Sequence, residues 1–333
     1  MRELVVFRDG DITVSTDRLI FYTFGYDHPE DKVISFLKYI PARLASRFDI
    51  EWMEYRWNFM GEDMVRPREL FSPENHLKLI GSFKKSFPGY LHYSRMLKRW
   101  LIAVPKRLIW RVFDPSQCLI ELLKKSERDS LEEKAIQLIG KLSSESEVPL
   151  AFFGIHGSIS LGMHHEGSDI DVAVYGESNF RRVIDAMKRL EVKGEISLVR
   201  ETFYDERKLN KGIFSHVRFN VNATRTPSEI SDRRLNFEPI AQVEASCKVV
   251  NDDEAMFRPA IYKVSECAIE SGPSFYADRV LEVCVMIGQF RSLASNGDKM
   301  LVRGMLERVR DDNEEWFRIV VGSGLRDEYM RPL

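Results

Sequence analysis

The chain has 333 residues but only four cysteines, Cys118, Cys247, Cys267 and Cys284. Their separations far exceed the short spacing of a zinc half-site, so neither a metal knuckle nor a dense disulfide framework is expected, and four free thiols fit a reducing cytoplasm. No uncharged apolar run approaches the roughly 18 residues of a membrane span. The opening MRELVVFRDGD carries charges where a secretory signal needs a continuous apolar stretch. A cytoplasmic protein with no membrane association is therefore the expectation. Net charge is also lacking: 49 Lys and Arg stand against 51 Asp and Glu, a formal charge of −2. Attraction to a polyanion would have to come from a local patch. Internal repeats and low-complexity segments are absent. What is present, 44% hydrophobic and 30% charged residues, excludes wholesale disorder, and the length predicts about two domains, with three small ones permitted.

The expected fold class is α+β. Residues 4–7 and 18–24 are short β-branched and aromatic runs around Asp9-Gly10-Asp11, which reads as a β-hairpin. His28-Pro29-Glu30-Asp31 looks like a helix start, with Val33, Ile34, Leu37 and Ile40 at helical spacing until Pro41. Ser72-Pro73-Glu74 opens a second helix with Leu77, Ile80 and Phe83 on one face. Residues 1–115 are thus assigned to an α/β domain without an identifiable active-site motif.

Between Lys84 and Arg111 acidic residues disappear. Eight basic residues (Lys84, Lys85, Arg95, Lys98, Arg99, Lys106, Arg107 and Arg111) are interleaved with Phe87, Tyr90, Tyr93, Trp100 and Trp110. Two readings stand: a groove that attracts a nucleic-acid backbone and stacks its bases, or a solvated face over core aromatics. Under the first, Lys98, Arg99, Lys106 and Arg107 are the candidate nucleic-acid contacts.

A short helix is expected over Cys118–Leu123 and an amphipathic one through Leu131, Ala135, Leu138, Ile139 and Leu142, ended by the polar Ser143–Ser146. Residues 229–333 read as a small β-rich domain, with a barrel as one arrangement and the oligonucleotide-binding type as one option among barrels. Its expected strands are Ala241–Val250, Val280–Arg291, Met300–Val309 and Trp316–Val321, the last two joined across Arg310-Asp311-Asp312-Asn313.

The chemistry lies in LAFFGIHGSISLGMHHEGSDIDVAVYG, residues 150–176. An apolar strand over Leu150–Ile155 leads to Gly157-Ser158, a turn at His164–Gly167, and a second strand bearing Asp169 and Asp171. Strand period two sets these carboxylates on one face, where they repel unless a cation joins them, and oxygen ligands suit Mg²⁺ or Mn²⁺. Gly157 permits close approach of backbone to a ligand, and Ser158 offers a hydroxyl and backbone N–H groups to an anion such as a triphosphate. Adjacent metal and phosphate sites are the equipment of phosphoryl or nucleotidyl transfer. His164-His165 reads as part of a polar turn, and His156 as a partly buried, satisfied histidine.

At these residues the sequence resembles the polymerase-beta-like nucleotidyltransferase superfamily, whose signature is Gly-Ser, about ten residues, then Asp-x-Asp on the next strand. Here Gly157-Ser158 precedes Asp169-Ile170-Asp171 by that spacing, with Gly162 and Ser168 at common family positions. The resemblance spans about residues 117–228, and is greatest to the minimal archaeal and bacterial domains. It implies a central mixed sheet with flanking helices over residues 116–228. It also implies that Asp169 and Asp171 are catalytic metal ligands, and that Gly157, Ser158 and Ser168 bind the nucleoside triphosphate.

Family members usually carry a third carboxylate on a later strand. The corresponding segment here, Phe214–Ala223, offers His216, Arg218, Asn220 and Asn222. Asn220 and His216 become the candidates for that position, with Glu201 or Asp205 as acidic stand-ins. Basic residues common after the Gly-Ser are replaced by Ile159, Ser160 and Leu161, so the triphosphate charge must be met elsewhere, by Arg200, Lys211, Arg218 or the 84–111 segment. The expected activity is transfer of a nucleoside monophosphate from an NTP to an acceptor hydroxyl, with RNA as the first acceptor class. The alternatives are an inactive nucleotide- or RNA-binding module, or a regulatory subunit that modifies a protein partner. Homodimerisation is left open.

Overall fold

The computed structural model describes residues 7–70, 72–94, 98–231, 233 and 235–333. Residues 4–6 of the expected first strand and Arg95 of the basic segment lie outside them. The chain groups into two compact units: Met1–His92, Leu101–Glu201 and Leu209–Glu229 in one, Tyr93–Trp100, Thr202–Lys208 and Ile230–Leu333 in the other.

The first unit opens with β1 (Ile12–Ser15), β2 (Ile20–Thr23) and β3 (Lys32–Pro41), followed by β4 (Trp57–Phe59) and β5 (Glu62–Val65). Helix α1 (Pro73–Ser86), β6 (Leu91–Ser94), β7 (Arg99–Pro105) and β8 (Ile109–Phe113) come next, the end of β6 and the start of β7 counting with the second unit. The path runs β4-β5-β3-β2-β1-β8, with β7 joining β3 to β6. The opening hairpin exists, but its strands are β1 and β2, so the turn lies after Ser15 and not at residues 9–11. Asp9 and Asp11 are buried and accept backbone N–H bonds from Gly25 and Arg8.

The expected helix after Asp31 is instead β3. Its buried residues Val33, Ser35, Leu37 and Tyr39 alternate, which is strand periodicity; the polar Ser35 had hidden that alternation. A register shift at Ile20/Phe21 lets Ile20 face Tyr39 while Phe21 faces Leu37. One face, with Leu19, Phe21, Leu37 and Ile40, therefore packs with Leu79, Ile80 and Phe83 of α1. The other carries Ile12, Ile20, Tyr22 and Tyr39. Helix α1 starts as expected with Ser72 as cap, its Oγ accepting from Asn75 N, but Leu77 faces solvent.

Helix α2 (Pro115–Lys124) is capped by Asp114. Helix α3 (Ser130–Ser146) begins with a reciprocal box between Asp129 and Glu132 and buries Leu131, Ala135, Leu138, Ile139 and Leu142 as the periodicity predicted. It continues through Ser146, where a loop had been expected. Then follow β9 (Phe153–His156), the single turn α4 (Gly157–Ser160), β10 (Ile170–Tyr175), α5 (Glu177–Val192) and β11 (Ser197–Leu198). After α6 (Phe203–Lys208), which belongs to the second unit, come β12 (Lys211–Phe214) and β13 (Val217–Thr224). The sheet order is β11-β12-β13-β10-β9, with β10 parallel to β13 and antiparallel to β9. Helices α3 and α5 pack on each other and on β10. The single strand expected over residues 214–223 is thus a hairpin, turning at Ser215-His216, both with positive φ.

In the second unit β14 (Asn236–Glu254), β15 (Ala260–Ser271), β16 (Val280–Val285), β17 (Lys299–Arg310), β18 (Glu315–Val321) and β19 (Tyr329–Pro332) run β14-β15-β16-β18-β17-β19. Pairing of β14 with β17 closes the first five into a barrel, with β16 and β18 parallel. Tyr262 is buried in it, its hydroxyl donating to Phe290 O at 2.7 Å and accepting from Leu293 N at 3.0 Å. Arg318 and Glu307 form a buried ion pair at 2.9 Å. Strand β15 had no counterpart in the sequence-based expectation.

Candidate functional site

The head of β10 gathers the polar groups. Register sets His156 of β9 on one side of Asp171 and Asn220 of β13 on the other. Asn220 Nδ2 donates to Asp171 Oδ1 at 3.2 Å, and Asn222 Nδ2 lies 3.5 Å from His156 Nε2. Asp169 stands just ahead of the strand. Partial burial raises its carboxyl above the ordinary carboxylate value and Asp171 adds to the rise, while Arg218 and Lys211 oppose it. A divalent cation between the two carboxylates would relieve that repulsion.

Gly157 makes the close fit under Asp171. Its φ of +74° favours glycine, and a Cβ there would run into Asp171 Oδ2, with the carboxyl carbon 3.1 Å away. A side chain at this position is opposed by both backbone conformation and space. Ser158 starts the turn that Met163 N closes on Ser158 O at 2.9 Å. Ser168 locks the loop ahead of Asp169: its Oγ accepts from His165 N at 3.0 Å and its N–H donates to His165 O at 2.9 Å. The hard oxygen donors of Asp169 and Asp171, with the Asn220 amide beside them, fit Mg²⁺ or Mn²⁺ in kind.

The other candidates are placed differently. His216 lies in the β12–β13 turn, four residues from Asn220 and about 13 Å along an extended strand. Glu201 pairs with Arg218 at 2.5 Å. Asp205 accepts from Thr202 Oγ1 at the start of α6, in the second unit. Arg200 is clamped by both oxygens of Glu191 at 2.7 and 2.6 Å. His164 Nε2 is 2.6 Å from Asp129 Oδ2, and the His165 ring lies tilted against Tyr55 with centroids 4.6 Å apart. Asp129, Glu132 and His164 bring three potential ligand atoms together; here Asp129 and Glu132 form the cap of α3, His164 bonds Asp129, and Glu132 also pairs with Lys125 at 2.7 Å.

The basic aromatic segment is divided. Phe87 and Tyr90 join the core around α1, whereas Tyr93, Trp100 and Trp110 are exposed. Lys106 and Arg107 form an exposed turn in the first unit. Lys98 and Arg99 belong to the second, where Arg99 is half-buried and influenced by Glu307 and Glu328.

Sequence reasoning missed the N-terminal contribution. Tyr22 and Tyr39 have phenols raised chiefly by burial, and Asp171 adds to both. Arg66, just after β5, hydrogen-bonds Tyr39. These residues lie more than 100 positions ahead of Asp171 in a segment without a motif; a polar residue on an otherwise apolar strand was the available signal.

Residues 135–234 match a family model described as the nucleotidyltransferase domain. Among curated proteins, the chain is 28% identical to the uncharacterized protein MJ1086 of Methanocaldococcus jannaschii over 343 residues, 95% of each chain being covered. No solved structure matches the chain.

Proposed function

We propose that this chain, whose residues 135–234 are a nucleotidyltransferase domain of the polymerase-beta-like superfamily, transfers a nucleoside monophosphate from an NTP to an acceptor hydroxyl with the help of a divalent cation. The observation that carries this reading is the carboxylate pair Asp169 and Asp171 at the head of β10, with Gly157 fitted beneath Asp171. In this role Asp169 and Asp171 hold Mg²⁺ or Mn²⁺, which when bound neutralises phosphate charge and aligns the acceptor oxygen with the leaving group. Gly157 and Ser158 border the triphosphate, Ser168 fixes the loop, and Lys211 and Arg218 supply positive charge beside Asp169. The acceptor oxygen bonds to the α-phosphorus as the bond to pyrophosphate breaks, and the hydroxyl proton leaves to solvent or a nearby base.

RNA is the acceptor class we place first, on the exposed Lys106, Arg107 and Trp110. The barrel does not add to this, because residues 235–333 contain 17 acidic and 12 basic side chains, a balance that repels a polyanion. A second reading, a nucleotide-binding module without turnover, is favoured by Asn220 beside Asp171, on the strand where the superfamily resemblance leads one to expect a third carboxylate.

The test is transfer from each α-labelled NTP, with Mg²⁺ or Mn²⁺, into total RNA and protein, beside the Asp169→Asn and Asp171→Asn variants. Label in RNA that both variants abolish supports the enzyme and its acceptor. Label in protein moves the acceptor to a polypeptide hydroxyl, and saturable NTP binding without transfer leaves the binding module.

A further inference from the structure

Two cations act on the carboxylate pair directly, and a third shares its aromatic neighbours. On the Asp169 side are Lys211 and Arg218, the latter already held by Glu201. Arg66, which no motif announces, acts on the same two phenols, Tyr22 and Tyr39, as the Asp171 carboxylate does. Among the described residues no carboxylate is paired with Arg66, and its Nε–H is buried without an acceptor. A buried charged donor is costly unless something accepts from it.

Its position is fixed by the N-terminal sheet. Arg66 hydrogen-bonds the Tyr39 phenol, and Tyr39 and Tyr22 both feel the Asp171 carboxylate. The segment leading to Arg66 also touches the loop ahead of Asp169. Tyr39, Trp57 and Tyr55 form a row with centroid separations of 5.2 and 4.8 Å, and Tyr55 continues it to His165 at 4.6 Å. A guanidinium without a carboxylate partner among the described residues, two phenols and an aromatic row thus adjoin a site whose Gly157-Ser158 turn is followed by no basic residue.

We propose that Arg66 receives a phosphate oxyanion of the nucleotide substrate, so that the N-terminal sheet completes the nucleotide site. This rests on the nucleotidyltransferase reading given above. The planar guanidinium suits phosphate oxygens through paired N–H donors, and Tyr39 is a positioning residue that holds it.

The probe is inorganic triphosphate with Mg²⁺, titrated calorimetrically into the full chain. Arg66→Gln is expected to weaken binding about 10- to 100-fold, the loss of a charge-assisted hydrogen-bonded group. Arg66→Lys, which keeps a point charge without the fork, should weaken it less, and Tyr39→Phe should weaken it slightly with the melting temperature little changed. Triphosphate affinity at the wild-type level in a folded Arg66→Gln protein overturns the proposal, as does absence of saturable binding in the wild type. If Arg66→Gln does not fold, wild-type affinity in Arg66→Lys overturns it. Binding that depends on Arg66 without nucleotidyl transfer sustains the proposal and removes the enzyme reading. Transfer indifferent to Arg66, with unchanged triphosphate affinity, does the reverse.

Discussion

Replacing Gly157 by Ala tests the fit between the Gly-Ser turn and the carboxylates. Two costs arise, one from placing an alanine at φ +74°, about 1–2 kcal/mol. The other comes from the new Cβ, which meets Asp171 at its Oδ2, its carboxyl carbon at 3.1 Å and its Cβ at 3.3 Å. Asp171 must move, and overpacking of this kind costs about 1–3 kcal/mol. The first cost is independent of Asp171 and the second is not. Urea denaturation of wild type, Gly157→Ala, Asp171→Ala and the double variant separates them. Gly157→Ala should destabilise the wild type by about 2–5 kcal/mol but the Asp171→Ala background by only about 1–2 kcal/mol, a coupling of about 1–3 kcal/mol. Divalent-ion and nucleotide binding should fall in Gly157→Ala even where the protein remains folded, because the carboxylate has been displaced. Equal costs in both backgrounds would refute the reasoning.

Asn220→Asp adds a third carboxylate opposite Asp171. Without divalent ion it should lower stability by about 1 kcal/mol. With Mg²⁺ its melting temperature should rise more than that of the wild type; an equal Mg²⁺ response would remove Asn220 from the metal site. Burial, with a smaller contribution from Lys106, lowers the His28 imidazole from 6.5 to about 4, so folding favours its neutral form, whose Nδ1 accepts from Ile34 N at 3.3 Å. The resulting stability is complete above pH 6.5 and is lost as pH falls toward 4. That loss amounts to about 3 kcal/mol, and His28→Gln should flatten the slope in urea unfolding over this window. Glu307→Ala leaves Arg318 buried without its partner and should cost about 3–5 kcal/mol. Joint replacement of Glu307 by Met and Arg318 by Leu should recover most of that in the same assay.

What the sequence discloses about this molecule depends on how local the cause is. The spacing of Leu131, Ala135, Leu138, Ile139 and Leu142 is a property of one helix, and they are all buried in α3. Gly157, Asp169 and Asp171 fall within fifteen residues, so strand, turn and strand bring them together with little help from elsewhere. The residues of β3 were ambiguous, since Val33, Leu37 and Ile40 fit a helical spacing, and only pairing with β2 selects the alternating pattern. Strand β15, with charged Lys263, Glu266 and Glu270, is too polar to announce itself and is specified by its neighbours in the barrel. Tyr22, Tyr39 and Arg66 carry no local pattern because their relation to Asp171 is made by tertiary packing.

The chain passes between its two units five times, giving each unit three separate stretches of sequence. Severing it after Glu229 would therefore take from the barrel unit both the 93–100 stretch and α6. With α6 would go the Tyr204 ring packed near Phe290 and the Arg207 ion pair with Asp298 at 2.8 Å. Neither unit is a transferable cassette. Exchanging one in a chimaera, or separating them by a single protease cut, would leave each short of pieces of its own fold, so gain or loss of the barrel in a lineage would require coordinated change at several places in the gene.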